Sequence, residues 1–245
     1  MLKRKQLPPR DRRLNSELEY MKKLQRDSSF VQFEVNRKDL PEEYVVTFTC
    51  LGLVAEPAWN SQDLDPRWRH ETPPNWIGER HIVHIYLPIQ FPIAPPQLRF
   101  KTPIYHPNIR NLADGVKDLD KLAERVGGYQ KLQKAFQDNP EMQRMAQNLF
   151  SAFICLDGIK APEAGGNYSH RLTLYDICHE LGQMIMYQRY NIADPLNHDA
   201  AQWAEKAEKQ ENILPIDNRP FLDKLPPVIH VLKQEEDLGI EILSQ

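Results

Sequence analysis

Six of the twenty prolines in this 245-residue chain fall within residues 88–107, where even spacing would place fewer than two. Proline fixes φ and removes a backbone donor, so such a density pins a series of turns. Glycine is correspondingly scarce. Ten glycines against twenty prolines is about 4% against about 8%, the inverse of the roughly 7% and 5% of average proteins. That inversion excludes phosphate cradles of the Walker or Rossmann type, which need glycine at fixed offsets. The pair Gly165-Gly166 before Asn167 has no strand–GxGxxG–helix context. Collagen-like and Gly/Ser-linker architectures are excluded too. The apolar fraction of 41% is ordinary, and a chain of this length can bury a normal core as one elaborated domain or two. No apolar run approaches the ~18 residues of a membrane span. The start Met1-Leu2-Lys3-Arg4-Lys5-Gln6 leads into charged residues and not into a signal segment. The expectation is a soluble cytoplasmic protein with no membrane partner.

Charge is unevenly spread. Residues 1–26 hold nine Lys/Arg and three acids, a surplus of six, so with the whole chain at -3 the remainder carries -9. A basic helix on an acidic body suits nucleic acid, a membrane surface or an acidic protein partner, or is simply a solvated face. The three cysteines, Cys50, Cys155 and Cys178, form neither a CxxC pair nor an even framework, which argues against structural zinc and a disulfide scaffold. Cys50 and Cys178 lie in apolar strand and helix patterns and read as core thiols. His84, His179 and His198 lack ligand spacing, and no metal or cofactor is expected.

Periodicity predicts a helix over 8–26, with Leu14, Leu18, Met21 and Leu24 on one face. Strands follow at Phe30–Val35, Tyr44–Leu53, 80–87 and 97–102. The segment 54–78, with Trp59, Trp68 and Trp76, reads as a loop excursion that packs aromatically. Segment 110–150 is helical in pattern, with Val116, Leu119, Leu122 and Val126 on one face and a break at Gly127-Gly128. Asn139-Pro140 reads as the start of a further helix. Residues 172–190 form a buried helix with Thr173 as its cap, and 198–209 a shorter charged one. Helix followed by an antiparallel meander is an α+β beginning.

The proline-rich stretch contains Phe91-Pro92 and Pro95-Pro96, then Leu98-Arg99-Phe100, Thr102 and Tyr105-His106-Pro107-Asn108. Further on stand Ile154-Cys155-Leu156-Asp157, Tyr168-Ser169-His170-Arg171-Leu172-Thr173 and Asp194-Pro195-Leu196-Asn197. In this order these motifs resemble the ubiquitin-conjugating enzyme family, with its FPxxPP turn, HPN tripeptide, catalytic cysteine and post-cysteine helix entry. The resemblance covers roughly residues 8–207. It implies the family's α+β fold: an N-terminal helix on a four-stranded antiparallel meander with C-terminal helices, here with a helical insertion before the active-site cysteine. The domain expected is 1–209, with the insert at about 110–150 and a C-terminal extension or docking tail at 210–245.

The resemblance also implies roles. Cys155 would carry the thioester. Acyl transfer of this kind needs a thiol that is both nucleophile and leaving group, without a protease-style base. Asn108 would donate to the oxyanion or organise its loop. Asp194 would orient and help deprotonate the attacking amine. His106 would be mainly structural, with Tyr105 and Pro107 completing the supporting turn. The bland alternatives are a mere turn for His106 and Asn108 and a helix-terminating residue for Asp194. The basic helix would meet an activating enzyme through Arg10, Arg12, Arg13, Lys22 and Lys23, displacing the nucleic-acid reading. Phe91 and the loop after Cys155 would meet a ligase.

Departures are plain. Asn108 and Cys155 lie 47 positions apart, where the family has eight or so. The insert, with seven Lys/Arg and six Asp/Glu, is either a platform over Cys155 for a ligase or other pathway protein, or an inert excursion. Tyr168 and His170 stand where the family has tryptophan and proline. Such divergence resembles the conjugating enzymes of bacterial ubiquitin-like operons linked to phage defence. The function implied is an acyl carrier, passing a ubiquitin-like modifier from an activating enzyme to an amine. The rivals are a non-catalytic module of the same fold, and a cysteine hydrolase, disfavoured because His106 and Asn108 flank one rigid proline.

Overall fold

The computed structural model describes residues 7–57, 75–110, 120–139, 168–210 and 213–223. Helix α1 spans Pro9–Asp27, with proline at its first position, where no intrahelical donor is lost. Leu14, Leu18, Met21 and Leu24 are buried as predicted, and so is Glu17.

Four strands, β1 (Val31–Val35), β2 (Glu43–Phe48), β5 (His81–Tyr86) and β6 (Gln97–Phe100), form one antiparallel sheet in the order β1-β2-β5-β6. The strand period of two turns Tyr44, Val46 and Phe48, then Val83 and Ile85, then Leu98 and Phe100, into one core with α1 and helix α4 (Leu174–Ile185). Cys50 and Cys178 lie in that core. Burial drives the Cys50 thiol pKa up to about 12 and raises that of Cys178 further, so neither is a nucleophile at neutral pH.

The predicted run Tyr44–Leu53 is broken. β2 ends at Phe48, and β3 (Gly52–Leu53) pairs instead with β4 (Ile77–Gly78). Gly52 permits the redirection: a Cβ there would sit 2.7 Å from the Ile185 side chain and 2.9 Å from the His81 ring. The supposed excursion 54–78 therefore returns as a strand, with Trp76 buried. Trp59 and Trp68 lie outside the described residues. The fourth strand is shorter than its alternation suggested, because Thr102 turns its hydroxyl to accept the Ile82 N–H at 3.0 Å.

In the insert, α2 (residues 120–126) and α3 (Tyr129–Asp138) are parted at Gly127 and Gly128, with φ of 86° and 113°. Side chains other than glycine rarely adopt such values. Ala123 and Leu132 are buried against Leu122, Val126 and Phe136, a small cluster of their own. Asn139 serves α3 as C-cap. Val116, Leu119 and the helix expected from Pro140 lie outside the described residues.

Helix α4 begins with the expected Thr173, in a capping box with Asp176. It ends at Ile185, short of the predicted 190, and Tyr187 takes φ 56°. Helix α5 (His198–Glu208) is capped by the Asn197 side chain. Residues 213–223, read from sequence as tail, pack into the body. Phe221 lies in the main core, Ser28 and Ser29 bond to Phe221 and Asp223, and Asp217 accepts from Leu51 N–H at 3.0 Å. Among the described residues no helix is long and apolar enough to cross a membrane.

Candidate active site

The tetrapeptide Tyr105–Asn108 is buried throughout, and each of its residues is bonded to the chain that follows α4. The Tyr105 carbonyl accepts from the Tyr187 hydroxyl at 2.9 Å. A bond of 3.2 Å joins His106 Nε2 to the Arg189 carbonyl. The Pro107 carbonyl accepts two backbone N–H groups, from Leu196 at 2.8 Å and Asn197 at 2.9 Å. The Asn108 side chain makes a pair of hydrogen bonds with Asn191: its Nδ2 donates to the Asn191 carbonyl at 2.8 Å, and its Oδ1 accepts the Asn191 N–H at 2.7 Å.

His106 is fully buried, and its Nδ1 accepts the Asn108 N–H at 3.1 Å. That assigns the proton to Nε2, which donates to Arg189. Desolvation pushes the His106 pKa down to about 3, so the ring is neutral and carries no base function at neutral pH. Its two ring nitrogens are both taken up by the backbone, at Arg189 and Asn108. Both polar atoms of the Asn108 side chain bond to Asn191, and one Nδ2 hydrogen stays outside that pair.

Asn191 Oδ1 accepts the Ala193 N–H at 2.9 Å, a local turn of the kind asparagine favours. Asp194 follows directly and is exposed. The same segment then caps α5 through Asn197, whose Oδ1 accepts Ala200 N–H at 3.0 Å. The motifs 105–108 and 194–197, far apart in sequence, thus share one carbonyl, that of Pro107. Cys155 lies outside the described residues, as does its Ile-Cys-Leu-Asp context. Among the described residues no cluster of His, Cys, Asp and Glu could hold a metal.

The post-cysteine segment is anchored at its far end. Arg13 donates from Nε to Glu17 at 2.5 Å and from its terminal nitrogens to the carbonyls of His170 and Leu172. Buried Glu17 accepts the Leu174 N–H at 2.6 Å with its other oxygen. Desolvation raises the Glu17 pKa, against the opposing pull of the Leu174 bond and Arg13. Tyr168 donates its hydroxyl to the Pro92 carbonyl at 3.0 Å. The FPxxPP turn, the post-cysteine segment and α1 therefore meet.

Two sequence expectations change here. Phe91, expected on a partner surface, is 2% exposed and lies under the Arg13 guanidinium, 5.5 Å from its ring centroid. The apolar residues this turn exposes are Ile89 and Ile93, at 73% and 84%. Their positions beside Phe91 in the FPxxPP turn are the only sequence signal that could have found them. Arg13 is likewise consumed inside the fold. Arg10 pairs with Glu42 at 2.8 Å, Lys22 with Glu19 at 2.7 Å and Lys23 with Asp27 at 2.9 Å. Arg12 is exposed.

The model of the ubiquitin-conjugating enzyme family matches residues 68–213, more than half of the chain. A 40-residue stretch is 45% identical to ubiquitin-conjugating enzyme E2 T of Bos taurus, covering 16% of this chain and 20% of that protein. The match thus spans a fifth of the relative's length. Among solved structures, the E2 domain of a Toxoplasma gondii ubiquitin conjugating enzyme aligns with 17% identity and a TM-score of 0.42, over 80% of this chain and 88% of that one.

Proposed function

The chain belongs to the ubiquitin-conjugating enzyme family, and from that premise we propose that it is an acyl carrier working through Cys155. The Cys155 thiolate attacks the thioester by which an activating enzyme holds the C-terminus of a ubiquitin-like protein, and the activating enzyme's thiolate leaves. An amine of a target then attacks the new thioester, Cys155 departs as thiolate, and the amine's proton passes to Asp194 or water. Asn108 organises the loop that carries Asp194. The observation that supports this reading best is the shared bonding of 105–108 with 187–197, which holds Asn108 and Asp194 on adjoining turns. Burial of the other two thiols leaves Cys155 as the candidate nucleophile.

The activating enzyme meets the exposed cations of α1, Arg12 and Lys22 foremost. A ligase meets Ile89 and Ile93. The insert 110–150 and the remainder of the tail to 245 serve pathway partners. The testing experiment uses ubiquitin as probe, with a ubiquitin-activating enzyme and ATP. A higher band lost on adding reductant is expected for the wild type, none for Cys155→Ala, and a reductant-stable band for Cys155→Ser. If wild type and Cys155→Ala give the same pattern, the carrier reading fails.

A further inference from the structure

Helix α4 is stopped in an unusual way. Met186 is its C-cap, still in right-handed conformation, and Tyr187 then takes φ 56°. Helices commonly end through a left-handed residue, but that residue is usually glycine or asparagine. A bulky aromatic there is strained, and such strain persists only where the surroundings over-determine it. Tyr187 is 1% exposed. Its ring stands edge-on to His106 at 4.9 Å and to Trp203 at 5.7 Å, with Tyr190 also at 5.7 Å. Its hydroxyl donates to the Tyr105 carbonyl. Burial raises the phenol pKa well above its ordinary value, so the group stays a donor.

The bonds that follow keep step with it. Tyr105 meets Tyr187, His106 meets Arg189 and Asn108 meets Asn191. Among the described residues the first of these is the one side-chain bond from the helix end to the tetrapeptide, and it precedes the turn that carries Asn191 and Asp194. A slip of one residue at Tyr187 would misplace every later partner. We propose that Tyr187 is a positioning residue, whose hydroxyl and ring set the register in which 105–108 meets 189–194, and so the placement of Asn108 beside the Asp194 loop. Its consequence for the reaction rests on the acyl-carrier reading; its consequence for the turn does not.

Tyr187→Phe tests this on the full chain, because it keeps the ring in its cage and removes only the donor. Amide hydrogen exchange is the first readout. The N–H groups of Asn191, Leu196 and Asn197 are expected to exchange at least about tenfold faster, beyond any acceleration shared by the sheet amides of Val46 and Val83. This uses the separation of local from global opening. Equal acceleration at both sets of amides would mean a core tyrosine only, and would overturn the proposal. Discharge is the second readout, on protein charged with ubiquitin by a ubiquitin-activating enzyme and ATP. With free lysine as acceptor, discharge should slow about tenfold while charging changes less than twofold. Equal losses in both steps, tracking the folded fraction, would also overturn it. If the wild type forms no reductant-sensitive adduct, the acyl-carrier reading falls, and the exchange comparison alone decides the role of Tyr187.

Discussion

Asn108 and Asn191 are joined by two hydrogen bonds, in which one side-chain amide both donates to and accepts from the other residue's backbone, at 2.8 and 2.7 Å. The pairing closes a separation of 83 residues in sequence. An amide side chain carries a donor and an acceptor side by side, whereas an ionised carboxylate only accepts. Asn108→Ala strands a backbone donor and acceptor and should cost about 1–3 kcal/mol. Asn108→Asp restores the acceptor but sets an anion against the Asn191 carbonyl, so it should rescue neither stability nor discharge to lysine. Urea unfolding with a single-turnover discharge assay checks both, and recovery by Asp would refute the two-bond clamp.

Asp194 has a cleaner signature, because it is exposed and its side chain makes no hydrogen bond or ion pair among the described residues. Asp194→Ala should leave the unfolding midpoint and thioester loading unchanged and slow discharge to lysine, on the order of tenfold to a hundredfold for a lost proton acceptor. Equal discharge in variant and wild type would remove Asp194 from the site.

His81 and His106 are buried and neutral, with pKa values pushed down to about 4 and about 3 by desolvation. An unfolded chain returns both to roughly 6.5. Between these values the unfolded state binds more protons, so stability present above pH 6.5 is lost as pH falls toward 4 and then 3. At pH 5 each histidine should account for about 2 kcal/mol of loss. Glu17, whose pKa is raised, acts in the opposite sense and offsets part of it. Urea titrations at pH 7.5 and pH 5 measure the difference, and His106→Gln should shrink it. An identical unfolding free energy at both pH values would contradict the assignment.

Arg13 and Lys22 are both basic residues of α1 but differ in what they touch. Arg13→Glu leaves Glu17 and the carbonyls of His170 and Leu172 without their donor, and should cost about 3–5 kcal/mol. Lys22→Glu alters an exposed pair and should move stability by less than about 1 kcal/mol. Only Lys22→Glu, or Arg12→Glu, should lower the rate of charging at full foldedness, most visibly at low salt. Thermal melts beside charging kinetics at two ionic strengths separate the cases.

Phe221 lies against Gly182, where an added Cβ would strike the phenyl ring. Gly182→Ala should therefore destabilise by about 1–3 kcal/mol through overpacking. Phe221→Leu in the same chain should return part of that loss, since neighbours in contact are not additive. Additive losses in chemical denaturation would mean that residues 213–223 do not press on α4.

Local pattern sufficed wherever a residue's fate depends on near neighbours in sequence. The stripe Leu14, Leu18, Met21 and Leu24, the alternation of the four strands, the Thr173 cap and the Gly127-Gly128 break are short-range properties of period, cap and φ. The ordered motifs around Asn108, Cys155 and Asp194 were legible for the same reason, as fixed spacings. What tertiary structure decided is each matter set by a partner distant in the chain. It placed β3 against β4, buried Phe91 and exposed Ile89 and Ile93, and spent Arg13 on the carbonyls of His170 and Leu172. It also stopped α4 at Tyr187 and folded 213–223 onto the core. The proline cluster by itself determined that this chain would build stiff turns. The Pro107 carbonyl, shared by Leu196 and Asn197, shows what it left open: a proline fixes its own φ, but its acceptor is satisfied by whichever distant backbone the packing brings to it.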